Sequence, residues 1–277
     1  MYKPEKTEHL KEKNLQAKDS INRKQALEKL AHSGKKVMLT ALPLSLIGLT
    51  AEQAYAQFDD LEVVRALNFI LQIEFMEEAF YVQTTTRNGL IDAPYQSIFN
   101  QMRGQHQGRV VLIKNNIASF GLDAAPQLNF NFRSGDINPF SSFDQFLNLA
   151  QVIEDLAAGV YKEQAGNIFQ NNTSNITKRL VLRLHSTEAR HAYYIRFLRA
   201  QRGLDDIKGW INQNNLGNLS DTFANIYAQE DNTMQQGIDV TSITEANTGA
   251  VQEAWDEPIG RGLAGNILQL FTNPFEQ

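Results

Sequence analysis

The stretch "VLRLHSTEARHAYYIRFLRAQ", residues 181–201, carries Val181, Leu184, Glu188, His191, Ile195 and Leu198 at alternating spacings of three and four. That is the period of one helical face, and its apolar members mark the face as buried. Two positions on this face hold a carboxylate and an imidazole. An ionised group left unpaired in a core is strongly unfavourable, so the fold turns on what Glu188 and His191 face.

Working outward, three more segments show the same pattern. From about Phe58 to Thr86, Leu67, Ile70, Glu74 and Tyr81 share one face; Asp59 or Asp60 is positioned to cap this helix and Asn88-Gly89 to end it. Glu77 and Glu78 flank that face and are expected at its rim or in solvent. From about Pro94 to Phe120 the stripe is Ile98, Met102, His106, Arg109, Ile113 and Ile117, with Gly121 as the stop. From Ser141-Ser142 to about Phe169 it is Leu147, Ala150, Glu154, Ala157, Ala158 and Tyr161. The fourth helix begins near Asn175 and ends at Gly203. Seven residues is almost two turns, so Tyr81 lies on the face of Glu74 and Tyr161 on that of Glu154. Each of four helices therefore places polar residues near the middle of its apolar stripe. Carboxylates gathered at one centre repel one another unless a cation, a salt bridge or protonation relieves them.

Short links at 88–93 and 170–175 make their flanking helices antiparallel neighbours. The link between the second and third helices, "GLDAAPQLNFNFRSGDINPF" (121–140), is instead a long crossover, and "QLNFNF" within it alternates like a short extended piece. The chain thus reads as an all-α four-helix bundle over 58–202 with an irregular C-terminal extension over 203–277 packing on it. In the extension a helix is expected across 218–228 and a last one after Pro258, while Trp210 and Trp255 are expected as packing anchors.

Composition narrows the function classes. The 277 residues include no cysteine, which excludes disulfides, thiolate metal sites and cysteine nucleophiles. The net charge of −5 gives no basic face for nucleic acid. No phosphate-binding glycine loop, G-x-S-x-G elbow or H-E-x-x-H motif is present. Residues 1–57 read as an export signal or a disordered N-terminal segment. After Lys35 and Lys36 comes "VMLTALPLSLIGLTAEQAYAQ", whose apolar run is shorter than the ~20 residues a membrane span needs and ends in Ala54-Tyr55-Ala56, an A-x-A-like cleavage site. "NRKQALEKLA", with Arg23 and Lys24, is similar to a weakened twin-arginine signal. The expected location is the periplasm or cell envelope, with no stable membrane span after processing.

With these residues in hand, the chain resembles the ferritin-like domain family that includes bacterial desiccation-related proteins. The resemblance rests on "LNFILQIEFMEEAFY" (67–81), "NLAQVIEDLAAGVY" (148–161), "TEARHAYYIRFLRAQRG" (187–203) and "AWDEPIGRGLAGNILQLFTNPF" (254–275), and spans roughly 60 to 275. It implies a ferritin-like bundle and metal-ligand roles for Glu74, Glu154, Glu188 and His191, because di-metal members use a Glu from each of two helices and Glu-x-x-His from the other two. The second helix departs from that pattern. His106 stands at the family's Glu position and Arg109 at its His position, and arginine has no lone pair to offer a metal.

Three carboxylates and Arg109 sum to −2, which one divalent ion balances. The expectation is a one-metal site near Glu154, Glu188 and His191, with His106 as ligand or hydrogen-bond partner and Arg109 replacing a second ion and pairing with Glu74 or Glu154. Imidazole with carboxylate suits Fe, Mn or Zn, with Fe or Mn the expected ion, and Tyr81 and Tyr161 would orient carboxylates by hydrogen bonds. Two functions remain open. One is a catalytically silent envelope protein with a degenerate metal site or none and a structural or stress-associated role, toward which the loss of the second-helix motif tilts the reading. The other is a metal-binding oxidoreductase-like protein using one Fe or Mn ion, or a residual two-metal site involving Glu77 or Glu78, for oxygen or peroxide chemistry. A monomer or small homo-oligomer is expected; no protein partner is indicated.

Overall fold

The structure is a computed structural model that describes residues 51–204 and 207–272, with the side chains of 51–58 left aside. The expected export segment falls almost wholly outside the described residues. From Glu52 onward the chain forms one compact unit. Four long helices make its body: α1 Ala51–Thr85, α2 Gln96–Ala118, α3 Phe143–Phe169 and α4 Asn175–Gln201. Short elements follow: α5 Ala224–Tyr227, a hairpin of β1 Met234–Gln235 and β2 Ile238–Asp239, α6 Thr248–Gln252 and α7 Arg261–Phe271. Among the described residues, no helix is long and apolar enough to cross a membrane.

The helix ends follow local chemistry. Ser142 accepts a hydrogen bond from the Gln145 amide and Ser174 from that of Thr177, satisfying amides that the first turn of a helix leaves open. After α2 the chain reverses through Gly121 at φ 71°, a conformation that favours glycine. The start of α1 differs from the sequence reading. The helix runs through Asp59 and Asp60 back to Ala51, because "AEQAYAQ" contains good helix formers and no breaker.

All four polar-bearing stripes face inward. Apart from Ile98, which is half-buried, every stripe residue named above is buried. Helix α3 is buried on nearly every side, since it packs against the bundle on one face and the C-terminal extension on the other. The extension is tied to it by backbone: the Ile259 amide donates to the Gly159 carbonyl at 3.0 Å. A Cβ on Gly159 would lie 2.6 Å from the Ile259 side chain, so this close approach requires glycine. The crossover contributes the expected extended piece. Phe130 bridges Thr272 antiparallel, the Asn131 amide donates to the Phe271 carbonyl at 2.7 Å, and the Phe132 and Phe271 rings meet at 5.4 Å.

The helix expected across 218–228 is reduced to a 3-10 turn at Asp221–Phe223 followed by α5. The tryptophans are not packing anchors: Trp210 is 50% and Trp255 38% exposed. Trp210 instead donates its indole N–H to Glu253 at 3.0 Å, a surface role that an aromatic with a polar edge serves well.

Candidate metal centre

At mid-bundle the four stripes bring together Glu74 and Glu77 from α1, His106 and Arg109 from α2, Glu154 from α3, and Glu188 and His191 from α4. The two tyrosines act across the bundle. Tyr81 of α1 donates to Glu154 Oε1 of α3 at 2.5 Å, and Tyr161 of α3 donates to Glu74 Oε1 of α1 at 2.5 Å. Burial and the neighbouring carboxylates push both phenols well above their ordinary pKa, so they remain donors.

Four side chains share one feature: each has an outer atom held by a neighbour and an inner atom without a hydrogen-bond partner. Glu154 Oε1 is held by Tyr81, and Glu188 Oε1 by the Arg109 guanidinium. His106 Nδ1 lies 3.1 Å from Glu74 Oε2, and His191 Nε2 donates to Gln105 Oε1 at 2.6 Å. Glu154 Oε2, Glu188 Oε2, His106 Nε2 and His191 Nδ1 are buried and unpartnered. His191 Nδ1 lies 3.3 Å from Glu154 Oε2 and 3.7 Å from Glu188 Oε2, while His106 Nε2 is 3.5 Å from Glu154 Oε1.

The Gln105 contact also sets the tautomer of His191. An amide oxygen can only accept, so the proton of the neutral His191 ring sits on Nε2. The lone pair of His191 then lies on Nδ1, beside Glu154 Oε2 and Glu188 Oε2. For His106 the neighbours pull in opposite directions: Glu74 Oε2 at 3.1 Å from Nδ1 calls for a proton there, Arg109 Nη1 at 3.3 Å calls for a lone pair there, and Nε2 lies 3.5 Å from Glu154 Oε1.

Electrostatics separate the members. Burial opposes ionisation of Glu154, yet His191 and His106 more than offset it and hold the carboxyl below its usual range. Burial works against protonation of both imidazoles. For His106 the adjacent Glu154 and Glu74 carboxylates outweigh it and the pKa rises; for His191 burial prevails and the pKa falls. Glu77 corrects the sequence reading: it is 0% exposed, whereas Glu78 is half-buried. Burial, then Glu74 and Glu154, raise its carboxyl well above the ordinary value. The charge balance changes accordingly. There are four interior carboxylates rather than three, and the sum with Arg109 returns to −2 when Glu77 holds its proton.

Arg109 pairs with Glu74, one of its two expected partners, at 3.5 Å from Oε1, and also with Glu188, which was not expected; it makes no ion pair to Glu154. Gln105, unnoticed in the sequence, orients His191 from α2. Ligand atoms of His106, Glu154, Glu188 and His191 lie within 4.8 Å of one another, as do those of Glu74, Glu77, His106 and Glu188. The residues fit a cation, because four inward atoms from two imidazoles and two carboxylates have no other partner to satisfy them.

A model of the ferritin-like domain matches residues 62–201, the span that contains every one of these side chains. The chain belongs to the ferritin-like domain family. Among solved structures it is similar to the Desulfovibrio desulfuricans bacterioferritin, described for its diiron site in different catalytic states, at 14% identity and a TM-score of 0.46, covering 66% of this chain and 98% of that one. None of the curated proteins matches.

Proposed function

We propose that this protein is an exported ferritin-like protein of the bacterial cell envelope that holds a single divalent ion through His106 Nε2, Glu154 Oε2, Glu188 Oε2 and His191 Nδ1, in a stress-associated role akin to that of desiccation-related relatives. The observation that carries the metal reading is the set of four unpartnered inward atoms, each on a side chain held from behind by Tyr81, Arg109, Glu74 or Gln105. Ligands held by outer hydrogen bonds in this way lose little freedom on binding. A metal-free structural core, the competing reading, can pair His191 Nδ1 with Glu154 Oε2, 3.3 Å away, but leaves Glu188 Oε2 and His106 Nε2 without a hydrogen bond, and each unsatisfied buried polar group costs about 1–3 kcal/mol.

Two imidazoles with two carboxylates suit Fe or Mn. An Fe or Mn ion, when bound, would supply a redox-active centre for oxygen or peroxide; the protein's own part is to fix the ligands and exclude bulk water. The metal test is elemental analysis of the full-length chain after incubation with Fe(II) and with Mn(II), beside a Glu188→Ala/His191→Ala variant. About one ion per chain, lost in the variant, is expected for a single site. No ion bound to the wild type overturns the metal reading. If an ion binds, turnover of oxygen or peroxide decides between an oxidoreductase and a silent relative. Export is read separately, from the N-terminus of the protein in its native host. A start near Gln57 is expected, and an intact N-terminus on the accumulated protein refutes export.

A further inference from the structure

We propose that Glu77 is the carboxylate that the second helix lacks, and that with Glu74 and Glu188, beside His106, it completes a second cation position, filled in this chain by the guanidinium of Arg109. The proposal builds on the single-ion reading, since His106 and Glu188 line both positions, but it is tested independently.

The geometry places Arg109 within this second group. Its Nη1 contacts Glu188 Oε1 and lies 3.5 Å from Glu74 Oε1 and 3.3 Å from His106 Nδ1, three of the four residues. The fourth, Glu77, approaches the same imidazole nitrogen, with Oε2 3.6 Å from His106 Nδ1. Both Glu77 oxygens are buried without a hydrogen-bond partner, although the side chain is fully enclosed. A carboxyl that only stabilised the fold would have a donor, because enclosing one without a partner is costly.

Helix geometry explains how the carboxylate moved. Glu77 follows Glu74 by three residues, a rotation of about 60° that keeps it on the inner side of α1. It thereby faces His106, the position from which the family's second-helix carboxylate is missing. Charge gives the same answer. Glu74, Glu77, Glu154 and Glu188 can together carry −4, the charge that two divalent ions balance. Arg109 removes one unit of that charge and fills the space between Glu74, His106 and Glu188, so it opposes a second ion by both charge and volume. Arg109 therefore fixes the number of ions at one while the ligands for two are present.

The test uses the full-length chain and Co(II), read by elemental analysis and visible absorption, on the wild type, Glu77→Gln, Arg109→Ala and the Arg109→Ala/Glu77→Gln double variant. The expected counts are about one ion for the wild type and Glu77→Gln, about two for Arg109→Ala and about one for the double variant. A folded Arg109→Ala that still binds one ion overturns the second position. A double variant that keeps two overturns the role of Glu77. Arg109→Gln, which keeps an N–H for Glu188, provides the same reading if the alanine variant does not fold. If both variants fold only with Co(II) present, the ions retained per refolded chain are counted and judged by the same numbers. A wild type that binds none beside an Arg109→Ala that binds one would refute the single-ion reading and leave the second position standing.

Discussion

Glu154 and Asp155 are consecutive, buried residues of α3 whose carboxylates belong to two different polar networks. Asp155 faces the C-terminal extension. Both its oxygens are taken by Arg196, and Tyr227 donates to Oδ2 at 2.7 Å. Glu154 faces the bundle interior, where one oxygen is held by Tyr81 and the other is unpartnered beside His191. Adjacent helix positions lie about 100° apart, so one step along the chain separates a closed network from an open one. The closed network anchors the extension. The open one gathers unpartnered ligand atoms at one point, as a binding centre does. A buried carboxylate is therefore informative only when its partners are counted.

The comparison can be broken in several ways. The largest effect is expected at the closed network. Asp155→Ala strands the Arg196 charge in the interior and should cost ~3–5 kcal/mol in urea unfolding while leaving the ion count unchanged; a loss of ion binding would show that the two networks are coupled. At the open centre, Mn(II) at one hundred times its dissociation constant should stabilise the folded chain by ~2.7 kcal/mol, a rise in Tm of roughly 5–10 °C for a unit of this size. The same titration should leave Glu188→Ala/His191→Ala unmoved. Next comes Gln105→Leu, which frees His191 Nε2 and should weaken ion affinity about 10–100-fold with the stoichiometry preserved. An unchanged affinity would make the Gln105 contact incidental.

The smallest effect concerns Glu230, where the closed side is imperfect. Its Oε1 accepts the Glu257 amide at 3.0 Å but Oε2 has no partner, and burial, partly opposed by that amide and reinforced by Asp256 and Asp155, pushes the carboxyl up to about 8. The folded chain holds this proton to higher pH than the unfolded one. The resulting stability is complete below the ordinary carboxylate range and is lost as pH rises through about 8. Glu230→Gln should therefore melt a few degrees above wild type at pH 9 and close to it at pH 4. Superimposable melting profiles at both pH values would contradict this assignment.

Much of the bundle was legible in the sequence because helix period and helix ends are local properties. Ser142 and Ser174 cap where a first turn needs an acceptor, and Gly121 stops α2 at a positive φ. The stripes through Glu74, His106, Arg109, Glu154, Glu188 and His191 all proved buried, and their polar members meet. Glu77 carried a signal that was discounted. Its spacing of three from Glu74 equals that of His191 from Glu188, the pair that prompted the metal reading. Gln105 carried none, since nothing in a glutamine beside His106 announces a contact with α4.

The sequence by itself determined which residue types lie on the inner faces, since a repeat of three and four requires only the chain's own helical geometry. Tertiary structure decided how those residues are paired. It joined Tyr81 to Glu154 and Tyr161 to Glu74 across the bundle, turned Arg109 to Glu188 and Glu74, enclosed Glu77, and set the extension against Asp155. The physical reason is range. Helical period is set within a few residues, whereas hydrogen bonds form within about 3 Å between atoms that helix packing alone brings that close.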